Sequence, residues 1–167
     1  MTFNDNGVIE PGIHEIDIHE FYNLFVQSFT TSERRKDIFD SLIDFLKILL
    51  NKYDVQEVWI DGSYVTDKVN PNDVDIIVFL EIEDYINIHP LWPSLRCQKN
   101  IDPYCEVILN EHTKSAASPK DLGIIINQRN YWRGQFGFDR IDIPKGIIKL
   151  SGHNIKEYIS GGEPYVI

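Results

Sequence analysis

Four residues have types and spacing that could do chemistry together. Gly62 and Ser63 follow an apolar run, Val55 to Ile60, and its closing Asp61. Nine residues later Asp73 and Asp75 flank Val74 at the head of a second apolar run ending at Leu80. A glycine lets a ligand approach the main chain, and successive N–H groups in such a turn form a nest for an anion. The Ser63 hydroxyl adds a donor, and a phosphate oxygen suits the pair. Asp73 and Asp75 are two apart, so in a strand both side chains leave one face, with Cα atoms roughly 6.5 Å apart. Two carboxylates that close repel unless one takes a proton or a cation sits between them. Mg²⁺ binds through one or two carboxylates plus phosphate oxygens. The combination suits in-line transfer of a nucleotidyl group, in which a metal offsets the charge developing on the phosphate.

The elements around these residues must position them. Val55 to Ile60 reads as a strand ending at Asp61-Gly62, and Asn70-Pro71-Asn72 as a turn. Val74 to Leu80 is almost wholly β-branched, aliphatic or aromatic, as in a central strand covered on both faces. Ile77 and Phe79 continue the face of Asp73 and Asp75; Val74, Ile76, Val78 and Leu80 form the other. Burying two unpaired carboxylates there would cost several kcal/mol, so packing alone does not account for them. Tyr104 to Leu109 is a third strand and Lys145 to Leu150 a last one. Asp17 and Glu20 have capping-box spacing ahead of a short helix through Phe21, Leu24, Phe25 and Phe29. Thr30 and Glu33 repeat that spacing before the strongest helix, 33–51. Its apolar stripe is Ile38, Leu42, Phe45, Leu46 and Leu49, and Arg34, Arg35 and Lys36 lie on or near its polar side. Residues 119–136 are partly helical. The order gives an α+β (mixed α/β) class, a small mixed sheet flanked by helices. One domain over 1–167 is expected, with an extended arm to about residue 16 and a mobile tail from about 151.

Composition narrows the function. The net charge is −10, with 16 basic and 26 acidic residues. Such a surface repels polyanions, which argues against a long nucleic-acid footprint but not against a small anion carried with a divalent cation. No apolar run is long enough to span a bilayer. The start is acidic and broken by Gly7, Pro11 and Gly12, unlike a secretory signal. Cys97 and Cys105 read as reduced thiols, and the expected location is cytoplasmic. His14 and His19 are five apart, which does not suit two metal ligands on one helix face.

The run from Trp59 to Leu80, with Gly62-Ser63 and Asp73-Val74-Asp75 inside it, resembles the signature of the DNA polymerase β-like nucleotidyltransferase superfamily. The resemblance implies that fold, a nucleoside triphosphate held at Gly62-Ser63, and Mg²⁺ or Mn²⁺ held by Asp73 and Asp75. A third carboxylate from a later strand would complete the site and activate an incoming hydroxyl. Asp102 and Glu106 share strand parity and both qualify. Pro103 argues for a strand starting later, which favours Glu106, whereas the Ile101-Asp102-Pro103-Tyr104 segment favours Asp102 by resemblance. Small antitoxin-type members carry an arginine-glycine pair after the turn. Thr66-Asp67-Lys68 stands there instead, and Lys68 is a point charge rather than a fork. The chain also resembles a group of small bacterial nucleotidyltransferase-like proteins, through Trp59 to Thr66, Tyr131-Trp132, Phe136 to Arg140 and Pro144 to Ile147.

Arg129, Arg133, Arg140 and Lys145 interleave with Tyr131, Trp132, Phe136 and Phe138. They form either a wall over the substrate base and phosphates, with Arg133, Arg140 and Lys145 as contacts, or a solvated helix face with aromatics in the core. The expected activity is metal-dependent transfer of a nucleoside monophosphate from a triphosphate to a hydroxyl on a protein, an RNA end or a small molecule. The resemblance implies a bacterial toxin–antitoxin or defence setting. The acidic balance favours a protein acceptor over RNA. The alternative is a module of the same fold that binds nucleotide or a protein partner without turnover.

Overall fold

The computed structural model describes residues 1–161. Five strands form one mixed sheet: β1 (Gly12–Glu15), β2 (Val55–Asp61), β3 (Val74–Leu80), β4 (Ile101–Val107) and β5 (Gly146–Ser151), in the order β1-β5-β2-β3-β4. β2 runs antiparallel to β3 and to β5, while β1–β5 and β3–β4 are parallel pairs. The fold is mixed α+β, as the alternation of element types implied. No helix of the described residues is long and apolar enough to cross a membrane.

Helices cover the two faces unequally. One face carries Val58, Ile60, Val74, Ile76, Val78 and Leu80, all fully buried in the larger core. Against it lie α1 (Ile18–Tyr22) and α2 (Arg35–Leu50). α3 (Ile82–Ile88) and the single turn α4 (Trp92–Leu95) lie between β3 and β4 and reach this core through Ile88 and Trp92. The opposite face carries Trp59, Ile77 and Phe79 in a second, smaller cluster with Phe136. Phe136 ends α6 (Pro119–Phe136), which follows the short α5 (Glu111–Ala116). The alternation along β3 therefore falls as its sequence predicts, and the carboxylates emerge on the thinly covered face.

Several expectations need correction. The arm is extended but not detached: Gly12–Glu15 pairs with β5, Val8 bridges Thr66, and Val8 and Ile9 are buried. Residues 151–160 are not a loose tail. α7 (Gly152–Ser160) buries Ile155, is capped by Ser151 and packs against β2; residues 162–167 lie outside the described residues. The Asp17 cap forms, with Glu20 N–H donating to Asp17 Oδ1 at 2.7 Å. The Thr30/Glu33 box does not cap α2. Ser32 Oγ instead accepts from the N–H groups of Arg34 and Arg35 at 3.2 and 3.1 Å. β4 begins at Ile101, before Pro103. It is an edge strand, where a residue without an N–H is tolerated.

The largest departure is Arg35, which is fully buried rather than on the polar side of its helix. Its Nη1 donates to the carbonyls of Phe25 (3.0 Å) and Tyr64 (2.6 Å), and its Nη2 to those of Thr66 (2.8 Å) and Lys68 (2.7 Å). The guanidinium lies 3.6 Å from the Phe29 ring centroid. Burial lowers its pKa to about 10, which leaves it charged at neutral pH. The adjacent residues hold the next loop: Asn70 Oδ1 accepts from Ser32 and Glu33, and Arg34 donates to the Asn72 carbonyl at 2.8 Å. The N-terminus of α2 thus fixes residues 64–72, the segment joining the glycine turn to the aspartates.

Arg35→Met keeps the bulk and strands four carbonyls, so a loss on the order of 3–5 kcal/mol is expected. That corresponds to a melting temperature lower by roughly 6–20 °C at this size. Thermal unfolding measures it, and a fall of a degree or less would sink the assignment.

Candidate functional site

β2 and β3 meet at the site in register, with Asp61 opposite Asp75, and β3 and β4 meet with Asp75 opposite Asp102. Three aspartates therefore form a row across three adjacent strands. Sequence reading found two of them. Asp61 was missed because its position becomes meaningful only with the β2–β3 register.

Gly62 follows Asp61 with φ +79°, in the left-handed region. A Cβ there would overlap Asp75 Oδ2. Glycine is required twice over, for the main-chain conformation and for room beside the carboxylate. Residues Gly62–Val65 form a 3₁₀ turn whose start receives no side-chain cap. Ser63 lies on this turn, and its hydroxyl makes no hydrogen bond among the described residues. Thr66 closes the turn, its Oγ1 donating to the Ser63 carbonyl at 2.9 Å.

The charges in the row are balanced differently. Asp61 is buried, and Lys145 Nζ lies 2.8 Å from both of its oxygens. Burial still pushes the Asp61 carboxyl up to about 6, against the pull of Lys145. Asp75 has no hydrogen-bond or ion-pair partner among the described residues. Its pKa is raised by burial first, then by the charges of Asp73 and Asp102, while Lys145 and Arg140 oppose the shift. Asp73 is exposed at the rim. Asp102 turns outward: Oδ2 accepts from Tyr104 Oη at 2.7 Å, and Oδ1 is 3.3 Å from Arg96 Nη2. Among the described residues no three His, Cys, Asp or Glu side chains converge as a metal cluster. The donors that fit a divalent ion are the unpaired Asp75 and rim Asp73, beside a cradle that a Cβ at Gly62 would fill.

Asp61 and Asp75 of the row open into a groove of ≈ 870 Å³, which Asp102 does not line. Asp61, Gly62, Ser63, Asp75 and Lys145 line it, with Asp73 among the lining residues. Thr66 and Lys68 line it too, beside Asn6, Gly7 and Val8 of the arm. Trp132, Gln135, Phe138 and Arg140 line it as well. The arm residues and Gln135 carried no readable signal in the sequence.

Two expected contacts lie elsewhere. Arg133 is exposed on α6 and does not line the groove. Glu106 pairs with Phe79 in the register, four residues from Asp102 and so about 13 Å along the strand. Its Oε1 accepts from Trp132 Nε1 at 2.7 Å. Arg129 is also remote, 2.8 Å from Glu57 and over the Trp59 ring. The thiols of Cys97 and Cys105 are free, and burial pushes Cys105 up to about 12.

A family model matches residues 1–151, ending with β5. The chain belongs to DUF6932, a family of unknown function. No curated protein and no solved structure gives a significant match. The match takes in every strand of the sheet and all the groove residues.

Two measurements follow. Gly62→Ala forces a disfavoured conformation and a clash with Asp75, so destabilisation of about 1–3 kcal/mol is expected in urea unfolding. Gly62→Ala with Asp75→Gly should recover the part due to the clash, and no recovery would refute the packing explanation. The raised Asp61 pKa sets a pH dependence. Between about pH 4 and pH 6 the folded state keeps a proton that the unfolded chain has released, so this group's contribution to stability falls as pH rises. The fall should be weaker in Asp61→Asn; identical pH profiles would refute it.

Proposed function

We propose that this protein is a metal-dependent nucleotidyltransferase of the DNA polymerase β-like fold. The observation that carries the reading is the unpaired Asp75, held in a groove against the Gly62-Ser63 turn. A carboxylate without a counter-charge, next to uncapped main-chain donors, suits a cation and a polyphosphate bound together. Asp73 and Asp75 hold Mg²⁺ or Mn²⁺. When bound, the cation offsets the charge that develops on the phosphate. Gly62 and Ser63 receive phosphate oxygens. Lys68 and Arg140, both lining the groove and without ion-pair partners among the described residues, supply positive charge.

In the reaction, the oxygen of an acceptor hydroxyl attacks the α-phosphorus of the nucleoside triphosphate. Its proton passes to the Asp102 carboxylate, which must leave Tyr104 and Arg96 and turn toward Asp75 to take it, the bond to the β-phosphate oxygen breaks, and pyrophosphate leaves. Lys145 stays with Asp61 in this scheme and keeps the base of the groove from becoming a third uncompensated charge. The acceptor is a hydroxyl on a protein, an RNA end or a small molecule, and a protein suits the net charge of −10 best.

One observation favours a second reading, a module that binds nucleotide or a protein partner without turnover. Asp102 spends its oxygens on Tyr104 and Arg96 instead of turning toward Asp75.

A thermal-shift panel with each nucleoside triphosphate, with and without Mg²⁺, tests the binding common to both readings. A ligand at ~100 times its dissociation constant stabilises by ~2.7 kcal/mol, a shift of roughly 5–11 °C at this size. The shift should require Mg²⁺ and vanish in Asp73→Asn/Asp75→Asn. No shift with any nucleotide refutes the proposal. Asp102→Asn should keep the shift but lose pyrophosphate release if the enzyme reading holds.

A further inference from the structure

The groove has two chemically different halves. Asp61, Ser63, Asp75 and Lys68 make one half polar. The other half is formed by the end of α6 and the loop after it, where exposed apolar side chains stand beside Gln135, Asp139 and Arg140. Phe138 is 45% exposed and Ile141 76% exposed, both lining the groove. Single exposed apolar residues are ordinary; two on one groove wall, in a loop that is itself stapled, are less so. Asp139 Oδ1 accepts from the N–H groups of Ile141 (2.9 Å) and Ile143 (2.8 Å), and Asp139 N–H donates to the Ile143 carbonyl at 3.0 Å. Phe138 bridges Pro144, and Lys145 N–H donates to the Gly137 carbonyl at 2.8 Å. The loop's own hydrogen bonds hold these side chains out of the core.

Trp132 packs on Tyr104 with ring centroids 4.5 Å apart, and both line the groove together with Gln135. Arg140 also lines the groove and acts on Asp75 electrostatically.

We propose that the wall formed by Phe138, Ile141 and Gln135 is the seat of the nucleobase of the bound nucleoside triphosphate. The inference rests on the reading of the preceding subsection and names the part of the ligand that the aspartates do not touch. A ligand filling both halves must be anionic at one end and flat and apolar at the other, with a hydrogen-bonding edge. A nucleoside triphosphate meets all three conditions. Its triphosphate lies toward Ser63, Lys68 and Arg140, its ring stacks on Phe138 against Ile141, and the Gln135 amide meets the ring's edge.

The test compares dissociation constants, by calorimetry in Mg²⁺, for each of the four common ribonucleoside triphosphates and for inorganic tripolyphosphate. Base–aromatic stacking implies that the best nucleotide binds about 5- to 150-fold more tightly than tripolyphosphate. Phe138→Ala should remove most of that advantage while leaving tripolyphosphate affinity unchanged, and Phe138→Trp should restore it. Because Phe138 is exposed, the variants are expected to fold, and their melting temperatures check that. Equal binding of nucleotides and tripolyphosphate to the wild type overturns the base seat and leaves the phosphate site standing, as does wild-type nucleotide affinity in Phe138→Ala. Failure of both ligands to bind overturns the base seat together with the function it rests on.

Discussion

A buried guanidinium organises this molecule. Among the described residues Arg35 has no ion-pair partner; its four hydrogen bonds all go to main-chain carbonyls. Taking an ion out of water costs several kcal/mol, and neutral carbonyls repay that only if the geometry is good and all of them are met. Three of the four belong to Tyr64, in the glycine turn, and to Thr66 and Lys68, which follow it and line the groove. The position of the turn relative to β3 is therefore not left to a flexible loop. It is set by the first turn of α2, which packs into the larger core through Ile38, Phe39 and Leu42.

A second constraint follows from the register. Antiparallel pairing of β2 with β3 and parallel pairing of β3 with β4 place three aspartates side by side at strand spacing. The protein answers the two outer ones locally, Asp61 with Lys145 and Asp102 with Tyr104 and Arg96. The central one is left to its surroundings. Perturbed, partly buried carboxylates in a groove are where functional sites are found. Elsewhere the charges on this sheet face are matched, as in Glu57 with Arg129 and Lys149.

Much of this was legible in the sequence because it is local. The β2 and β3 runs, their facing pattern and the glycine turn with its two aspartates follow from residue type and period. The 119–136 helix was legible despite Gly123 and Gly134, where an added Cβ would meet open space, so a missing side chain removes little packing. What could not be read depended on contacts distant in sequence. Arg35 falls among Arg34, Lys36 and Asp37, and only the carbonyls of the 64–68 loop reveal why it is inside. Asp61 needed the strand register, and Lys145 needed Asp61. β4 was placed late because Pro103 argues against a strand, until the sheet order shows that β4 is an edge. α3 and α4 were missed because they are short and interrupted by Pro90 and Pro93.

The strand order carries a consequence for biosynthesis. β5 sits between β1 and β2, although about ninety residues of chain separate it from β2 and more separate it from β1. A nascent chain emerging from the ribosome can pair β2 with β3 and then β4, but β1 has no neighbour until residues 146–151 appear. Lys145 arrives in the same stretch. Until then Asp61 must remain hydrated or protonated, and the inner edge of β2 stays open to pairing with another chain. β5 joins β1 to β2 and follows directly on the counter-charge, so the groove is completed only once residues 145–151 have been made.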